Sequence, residues 1–279
     1  MQCLNPINIK NPNYGKFWAS NSDYYRILVP CGHCTACLAR KRKQWFFRIN
    51  AEMKTSNTAF FVTLTYNDEH YPGKCNKRDP QLFFKRVRKY LKSKGFNEKI
   101  KYFLVSEYGE TFGRGHYHAC IFDLPYHLAN DIIDSCWSLG FVDVHPLSPA
   151  AINYVCKYCL QNVYDSAEDK IPDEYKTFML CSRRPAIGAS FMSDDMLAYL
   201  KTNLDGTITL QGVKYVIPRY YEDKVFDDYQ LRNIKKKRNE FLNKCDDYSR
   251  DEERITNQRK QEFDKKVKKK LKSFNKPIM

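Results

Sequence analysis

The eight residues Gly115-His116-Tyr117-His118-Ala119-Cys120-Ile121-Phe122 constrain the fold of this chain more than any other stretch. With the two-residue period of a strand, Tyr117, Ala119 and Ile121 share one face, and His116 and His118 share the other. A helix would point the two histidines in nearly opposite directions. The segment therefore predicts a strand with one face in a core and two imidazoles converging outside it. A His-x-His pair on a strand is a common metal-binding geometry, but the same spacing also suits two polar surface residues.

The neighbouring sequence supplies partners for this strand. Phe60 to Tyr66 alternates apolar residues with threonine and reads as a second strand. Asp79 and Pro80 signal a helix start, Leu82, Phe83, Val87, Tyr90 and Leu91 recur at helical spacing, and Gly95 closes the segment. Strand-like runs follow at residues 100–107 and 116–122, joined by a turn holding Gly109, Gly113 and Gly115. A helical pattern from Leu128 ends at Gly140, Phe141 to Leu147 reads as a strand, and Ser148-Pro149 caps a helix reaching about Val163. This order predicts an α+β domain at about residues 50–165: a central, mostly antiparallel sheet, RRM-like, covered by helices. Around it we expect a Cys-rich N-terminal segment over 1–49, an extension over 166–227 and a basic helical tail over 228–279.

Chemistry can be read onto this frame. Glu107, at the end of the preceding strand, can cross the turn and add a carboxylate to His116 and His118, leaving positions open for water and phosphate. Glu110, within the turn, competes for that role; Glu107 is preferred because a strand end is held more firmly than a loop. In Ala150 to Leu160, Tyr154 and Tyr158 lie four residues apart on one helical face, and Lys157 borders it. Two tyrosines at this spacing more commonly pack on a sheet. A phenol, with a pKa near 10, is a poor nucleophile at neutral pH. With a metal to polarise a phosphoryl group and Lys157 to offset developing charge, the two motifs form complementary halves of one reaction.

Lys and Arg outnumber Asp and Glu by 47 to 32, a net +15, and 15% of residues are aromatic. That combination favours a nucleic-acid partner, because basic side chains track phosphates and aromatic rings stack bases. The outer face of the helix after Asp79 carries Lys85, Arg86, Arg88, Lys89 and Lys92, which we expect to make salt-sensitive phosphate contacts. Residues 231–279 hold 17 Lys or Arg against 8 Asp or Glu, so +9 of the net charge lies there. The N-terminus lacks the pattern of a signal peptide and no apolar run approaches a membrane span, so we expect a cytosolic protein without a membrane partner.

Eleven cysteines in such a compartment suggest metal more than disulfides. Cys31, Cys34 and Cys37 are spaced to offer three thiolates, and zinc is the better guess than iron–sulfur. Cys3 or His33 can complete a tetrahedron, Cys3 being preferable. The role expected is structural, anchoring a following helix that holds Arg40, Lys41, Arg42, Lys43, Trp45, Phe46 and Arg48.

Phe61-Val62-Thr63-Leu64-Thr65, His116-Tyr117-His118 and Tyr154-x-x-Lys157-Tyr158 resemble, in order, the three motifs of HUH-type rolling-circle replication initiators. The paired tyrosines look like those of microvirus initiators. Cys31 to Cys37, Ser106 to Glu110, Ser182-Arg183-Arg184-Pro185 and Pro218-Arg219-Tyr220-Tyr221 are similar to the gokushovirus branch, over roughly residues 1–225. The resemblance implies that His116, His118 and an acidic residue bind Mg²⁺ or Mn²⁺. It implies that one tyrosine attacks the scissile phosphate of phage origin DNA, leaving a 5′-phosphotyrosine and a 3′-OH for a host polymerase, with a host helicase as a further partner. The second tyrosine then cuts the regenerated origin. Arg183 and Arg184 join the expected DNA contacts. Two rivals predict different outcomes: a passive single-strand binder binds without cleaving, and a metal-dependent hydrolase using water cleaves without a covalent adduct.

Overall fold

The computed structural model describes residues 3, 5–16, 24–32, 34–97, 99–109, 113–158, 173–204, 206–210 and 212–244. They form two compact units, one from residues 1–47 and 192–266, the other from 48–191 with 267–279.

The second unit is built on five antiparallel strands: β3 (Ala59–Tyr66), β4 (Lys101–Tyr108), β5 (Gly115–Phe122), β6 (Gly140–Pro146) and β7 (Met179–Cys181). Their order across the sheet is β6-β3-β5-β4-β7, so the strand carrying both histidines is central. One face is core. Val62, Leu64, Tyr117, Ala119 and Ile121 pack there with Phe83, Phe84, Val87 and Leu91 of α2 (Arg78–Ser93) and with Ile132 and Ile133 of α3 (Ala129–Cys136). The expected α+β class, with a Cys-rich cluster at the N-terminus, is what the chain adopts.

Element boundaries follow local hydrogen bonding. Helix α2 starts just before the expected Asp79, and the side chain that serves its first turn is Asn76, whose Oδ1 accepts from the Asp79 N–H at 2.8 Å. Asp79 instead accepts from the Tyr66 hydroxyl and from Asn76 Nδ2. At the other end Gly95 takes φ +81° and Phe96 N–H reaches back to the Leu91 carbonyl at 3.0 Å, closing the helix as a glycine C-terminus does. Helix α4 (Pro149–Tyr158) opens on Ser148, whose Oγ accepts from Ala151 N–H at 3.2 Å; its expected extension to Val163 lies outside the described residues.

Gly140 does not end a helix as expected; α3 stops at Cys136, and Gly140 opens β6 opposite Tyr66. Its φ is +156°, and a Cβ there would lie 2.3 Å from both Asn67 N and Thr65 O. Gly140→Ala must therefore push two backbones apart and should cost about 3 kcal/mol. For a unit of this size that lowers the thermal midpoint by about 10 °C; an unchanged melting curve would refute this account of the close approach.

The first unit contains the hairpin of β1 (Ile7–Lys10) and β2 (Arg26–Val29), a second hairpin of β8 (Thr207–Leu210) and β9 (Val213–Val216), and helices α5 (Asp194–Thr202), α6 (Arg219–Val225) and α7 (Asp228–Lys244). Helix α1 (Thr35–Thr55) begins in it and continues into the second unit. Phe47 is buried between Tyr215 and Tyr221, with ring centroids 5.5 and 5.8 Å away, while Arg40, Lys41 and Lys43 stay exposed. The expected helical tail is realised in α7 up to Lys244, and the remainder lies outside the described residues.

Candidate metal centre and tyrosine site

Strand register assembles the site on the sheet face opposite α2 and α3. Thr65, His116 and Glu107 form one row across β3, β5 and β4, and Thr63, His118 and Val105 form the next. Residues facing each other across an antiparallel pair share a sheet face. Glu107 therefore joins the histidines through pairing, and its side chain is only 3% exposed. Glu110 lies outside the described residues.

The donors converge. Glu107 Oε2 lies 3.2 Å from His118 Nε2 and 3.7 Å from His116 Nε2, and one donor atom from each of the three residues lies within 4.8 Å of the others. His118 Nδ1 meets Thr63 Oγ1 at 3.1 Å, and its ring stacks on Phe61 at 5.4 Å and 12°. These contacts fix the ring, as outer partners of metal-binding histidines do. Among the described residues His118 Nε2 is buried without a hydrogen bond. A buried nitrogen without a partner, facing a carboxylate and a second imidazole, is a donor set that fits a divalent cation.

Helix α4 lies over β4 and β5 and brings the first tyrosine to this cluster. Its packing stripe is Ile152, Val155 and Cys156, all fully buried, whereas Tyr154 is 40% exposed. Tyr154 is thus not the residue that seats the helix. Its hydroxyl donates to Glu107 Oε2 at 3.1 Å, and its ring meets His118 edge-on at 5.2 Å. Lys157 is exposed on the same helix. Tyr158 ends α4 one turn beyond Tyr154, and its side chain lies outside the described residues.

Tyr117, between the two histidines, points the other way. Its hydroxyl meets Tyr66 OH at 2.7 Å and donates to the Asn76 carbonyl at 2.8 Å, and burial pushes its pKa well above the ordinary phenol value. It braces the strand from behind. Gly115 is required there too, since a Cβ would come within 2.5 Å of Cys75 Sγ. The motif Phe61-Val62-Thr63-Leu64-Thr65 signalled a strand, but the roles of Phe61 and Thr63 in holding His118 emerge only from the register.

In the first unit Cys3, Cys31, Cys34 and Cys37 come together, with all four sulfurs within 4.8 Å of one another. Cys3 Sγ is 3.5 Å from Cys31 Sγ and 3.8 Å from Cys34 Sγ. Backbone N–H groups of Cys31 and Cys34 donate to the sulfurs of Cys3 and Cys31 at 3.2 and 3.3 Å. Burial pushes the Cys37 thiol up to about 12. His33 lies outside the described residues.

The expected DNA contacts separate. Lys85, Arg88 and Lys89 are exposed on α2, and Arg183 and Arg184 are exposed beyond β7. Arg86 turns inward, where its Nε donates to the Cys136 carbonyl at 2.7 Å and closes the end of α3.

A family of phage-type replication-associated proteins, described under the name replication-associated protein ORF2, matches residues 59–163, the stretch that contains β3 to β6 and α4. The chain is similar to replication-associated protein ORF2 of Spiroplasma virus 4, with 27% identity covering 85% of this chain and 86% of that protein. It is similar to replication-associated protein ORF4 of Chlamydia phage 1, with 27% identity over 71% of this chain and 54% of the relative. Replication-associated protein VP4 of Bdellovibrio phage phiMH2K shares 25% identity over 80% of this chain and 76% of its own length. These relatives bear out the resemblance drawn from the motifs. No solved structure matches the chain.

Proposed function

From a chain whose relatives are phage replication-associated proteins, we propose an initiator that nicks one strand of phage origin DNA by tyrosine transesterification and later rejoins it, in the cytoplasm of the bacterial host. The observation that carries this reading is the hydrogen bond from the Tyr154 hydroxyl to Glu107, which sets a nucleophile-bearing side chain on the His116–His118–Glu107 cluster without using it for packing.

Each residue then has a task. Glu107, His116 and His118 hold Mg²⁺ or Mn²⁺, hard cations that accept oxygen from phosphate and water beside the protein's donors. Bound there, such an ion supplies Lewis-acid polarisation of a phosphoryl oxygen. The Tyr154 oxygen forms a bond to the scissile phosphorus as the bond to the 3′ oxygen breaks; the phenol gives up its proton and the leaving oxygen gains one. The products are a 5′-phosphotyrosine and a free 3′-OH, the end that a host polymerase extends while a host helicase opens the duplex. Lys157 offsets charge on the phosphoryl group in the transition state. Tyr158, one turn further along α4, performs the second cleavage, and the released 3′-OH then attacks the first linkage to close a circle. Lys85 and Lys89 supply phosphate contacts.

The four cysteines hold a structural Zn²⁺ in the same reading. Tetrahedral zinc with bonds near 2.3 Å sets its sulfurs about 3.8 Å apart, and the separations of Cys3 from Cys31 and Cys34, 3.5 and 3.8 Å, match that spacing. A cubane iron–sulfur cluster puts each thiolate on a different iron and spreads them wider.

The deciding experiment incubates the protein, Tyr154→Phe, Tyr158→Phe and the double variant with single-stranded origin DNA and Mn²⁺, and looks for a denaturant-resistant adduct. Each single variant should retain an adduct, the double variant should lose it, and EDTA should prevent it. Cleavage without an adduct establishes the hydrolase instead, and binding without cleavage the passive module.

A further inference from the structure

Two basic features far apart in sequence meet in one cleft of the second unit. Its volume is about 770 Å³, and it runs between α2, the residues leading into β4, and the segment that begins with β7. Arg88, Lys92, Lys99, Arg183 and Arg184 line it, all of them exposed, and among the described residues no carboxylate does. Five cations converging without a counter-charge make a strong local positive potential, and low-dielectric walls focus it.

The walls are held in place. Tyr102 lies on the cleft floor, stacked on Phe84 at 3.6 Å and 14°, with the Arg88 guanidinium 5.6 Å over its ring. Beyond the exposed pair, the Ile187 carbonyl accepts from Arg48 Nε and Nη2 at 3.1 and 2.9 Å, and Gly188 N–H donates to the buried Glu52 at 2.6 Å. Glu52 in turn pairs with Lys101, which leaves that lysine out of the set of unopposed charges. The cations of residues 183 and 184 thus project from an anchored segment.

Position separates this cleft from the metal cluster. Tyr102 and Glu107 lie five residues apart on β4 and on opposite faces of the sheet, because their positions differ in parity. Five residues of strand span roughly 17 Å. Whatever occupies the cleft is not the phosphate held at Glu107.

We propose that this cleft is a second nucleic-acid site, which grips backbone phosphates of single-stranded DNA several nucleotides from the scissile bond. The identity of the polyanion rests on the nickase reading; the existence of an anion-gripping cleft does not. A narrow cleft with the partly buried Phe96 in its wall suits an unpaired strand, with base stacking available beside the charges. Such a grip tethers the strand on one side of the nick while the tyrosine linkage holds the other.

The test uses the full chain with Lys92→Gln, Lys99→Gln, Arg183→Gln and Arg184→Gln combined, and two origin oligonucleotides: one short, covering only the scissile phosphate and its neighbours, one long enough to reach the cleft. Loss of four phosphate contacts should lower the slope of log affinity against log salt by about 2 to 3 for the long single strand, at about 0.7 per contact. Long-strand affinity at low salt should fall by at least tenfold. Short-strand binding and adduct yield should stay as in the parent protein. An unchanged slope and affinity for the long strand would overturn the proposal, as would a loss confined to duplex DNA or to a mononucleotide. Failure of the nickase reading shows separately, as absence of adduct from the parent protein on the short strand.

Discussion

Replacing Glu107 with glutamine should slow formation of the covalent protein–DNA adduct by about three orders of magnitude while leaving the fold intact. The substitution keeps the size of a side chain that is 3% exposed, and removes only its charge and one acceptor oxygen. In the parent protein that oxygen, Oε2, is the shared point of the site: His118 Nε2 at 3.2 Å, His116 Nε2 at 3.7 Å and the Tyr154 hydroxyl at 3.1 Å all face it. A cation held by two neutral imidazoles and an amide binds far more weakly than one held with a carboxylate. The polarisation such an ion supplies is worth several kcal/mol, and each 1.4 kcal/mol or so is tenfold in rate. Adduct formation timed at fixed Mn²⁺ measures the loss, a thermal melt checks the fold, and strand binding in EDTA should stay within a few-fold of the parent. Raising Mn²⁺ should restore part of the rate. A variant that cleaves at the parent rate would remove Glu107 from the metal site and leave Glu110 as the acid to test.

The core of this site was legible in the sequence because its information is local. Two-residue alternation alone separates His116 and His118 from Tyr117, and that separation is what β5 displays. Choosing Glu107 over Glu110 needed a judgement about rigidity, and the physical reason for its place is register: position 107 pairs with 116 across the turn. Where long-range packing decides, the sequence is silent. The three residues of β7 are too few to show a period, and they join the sheet only by pairing with β4 across more than 70 residues. Arg86 reads as an outer-face cation, yet it sits beside Val87 at the border of the buried stripe, close enough for its guanidinium to reach the end of α3. Gly140 reads as a helix stop because glycine commonly is one, and here it serves a backbone crowded by Thr65 and Asn67. The basic cleft is invisible for the same reason, since Arg88 and Arg183 are brought together by the sheet between them.

Stripping metal from the four cysteines should undo the N-terminal part of the first unit. The hairpin of β1 and β2 has little core of its own: Ile7, Tyr24, Tyr25 and Leu28 are all exposed, and two-stranded hairpins are marginal in water without further support. What ties it to the start of α1 is the sulfur cluster, in which Cys3 closes a loop of 28 residues onto Cys31. Structural zinc in such sites contributes on the order of 10 kcal/mol or more of apparent binding energy, which corresponds to a Kd near or below nanomolar. One zinc per chain should therefore survive dialysis, and cobalt in its place should show the visible spectrum of a tetrahedral tetrathiolate. Four thiols should resist a thiol reagent until a strong chelator is added, and amide exchange should then accelerate over residues 5–16 and 24–32. Cys34→Ala should reproduce that acceleration without chelator, while residues 59–122, whose sheet has its own core, should keep their protection. Full thiol reactivity from the outset, with no metal bound and no change in exchange in Cys34→Ala, would show that the four sulfurs are only neighbours.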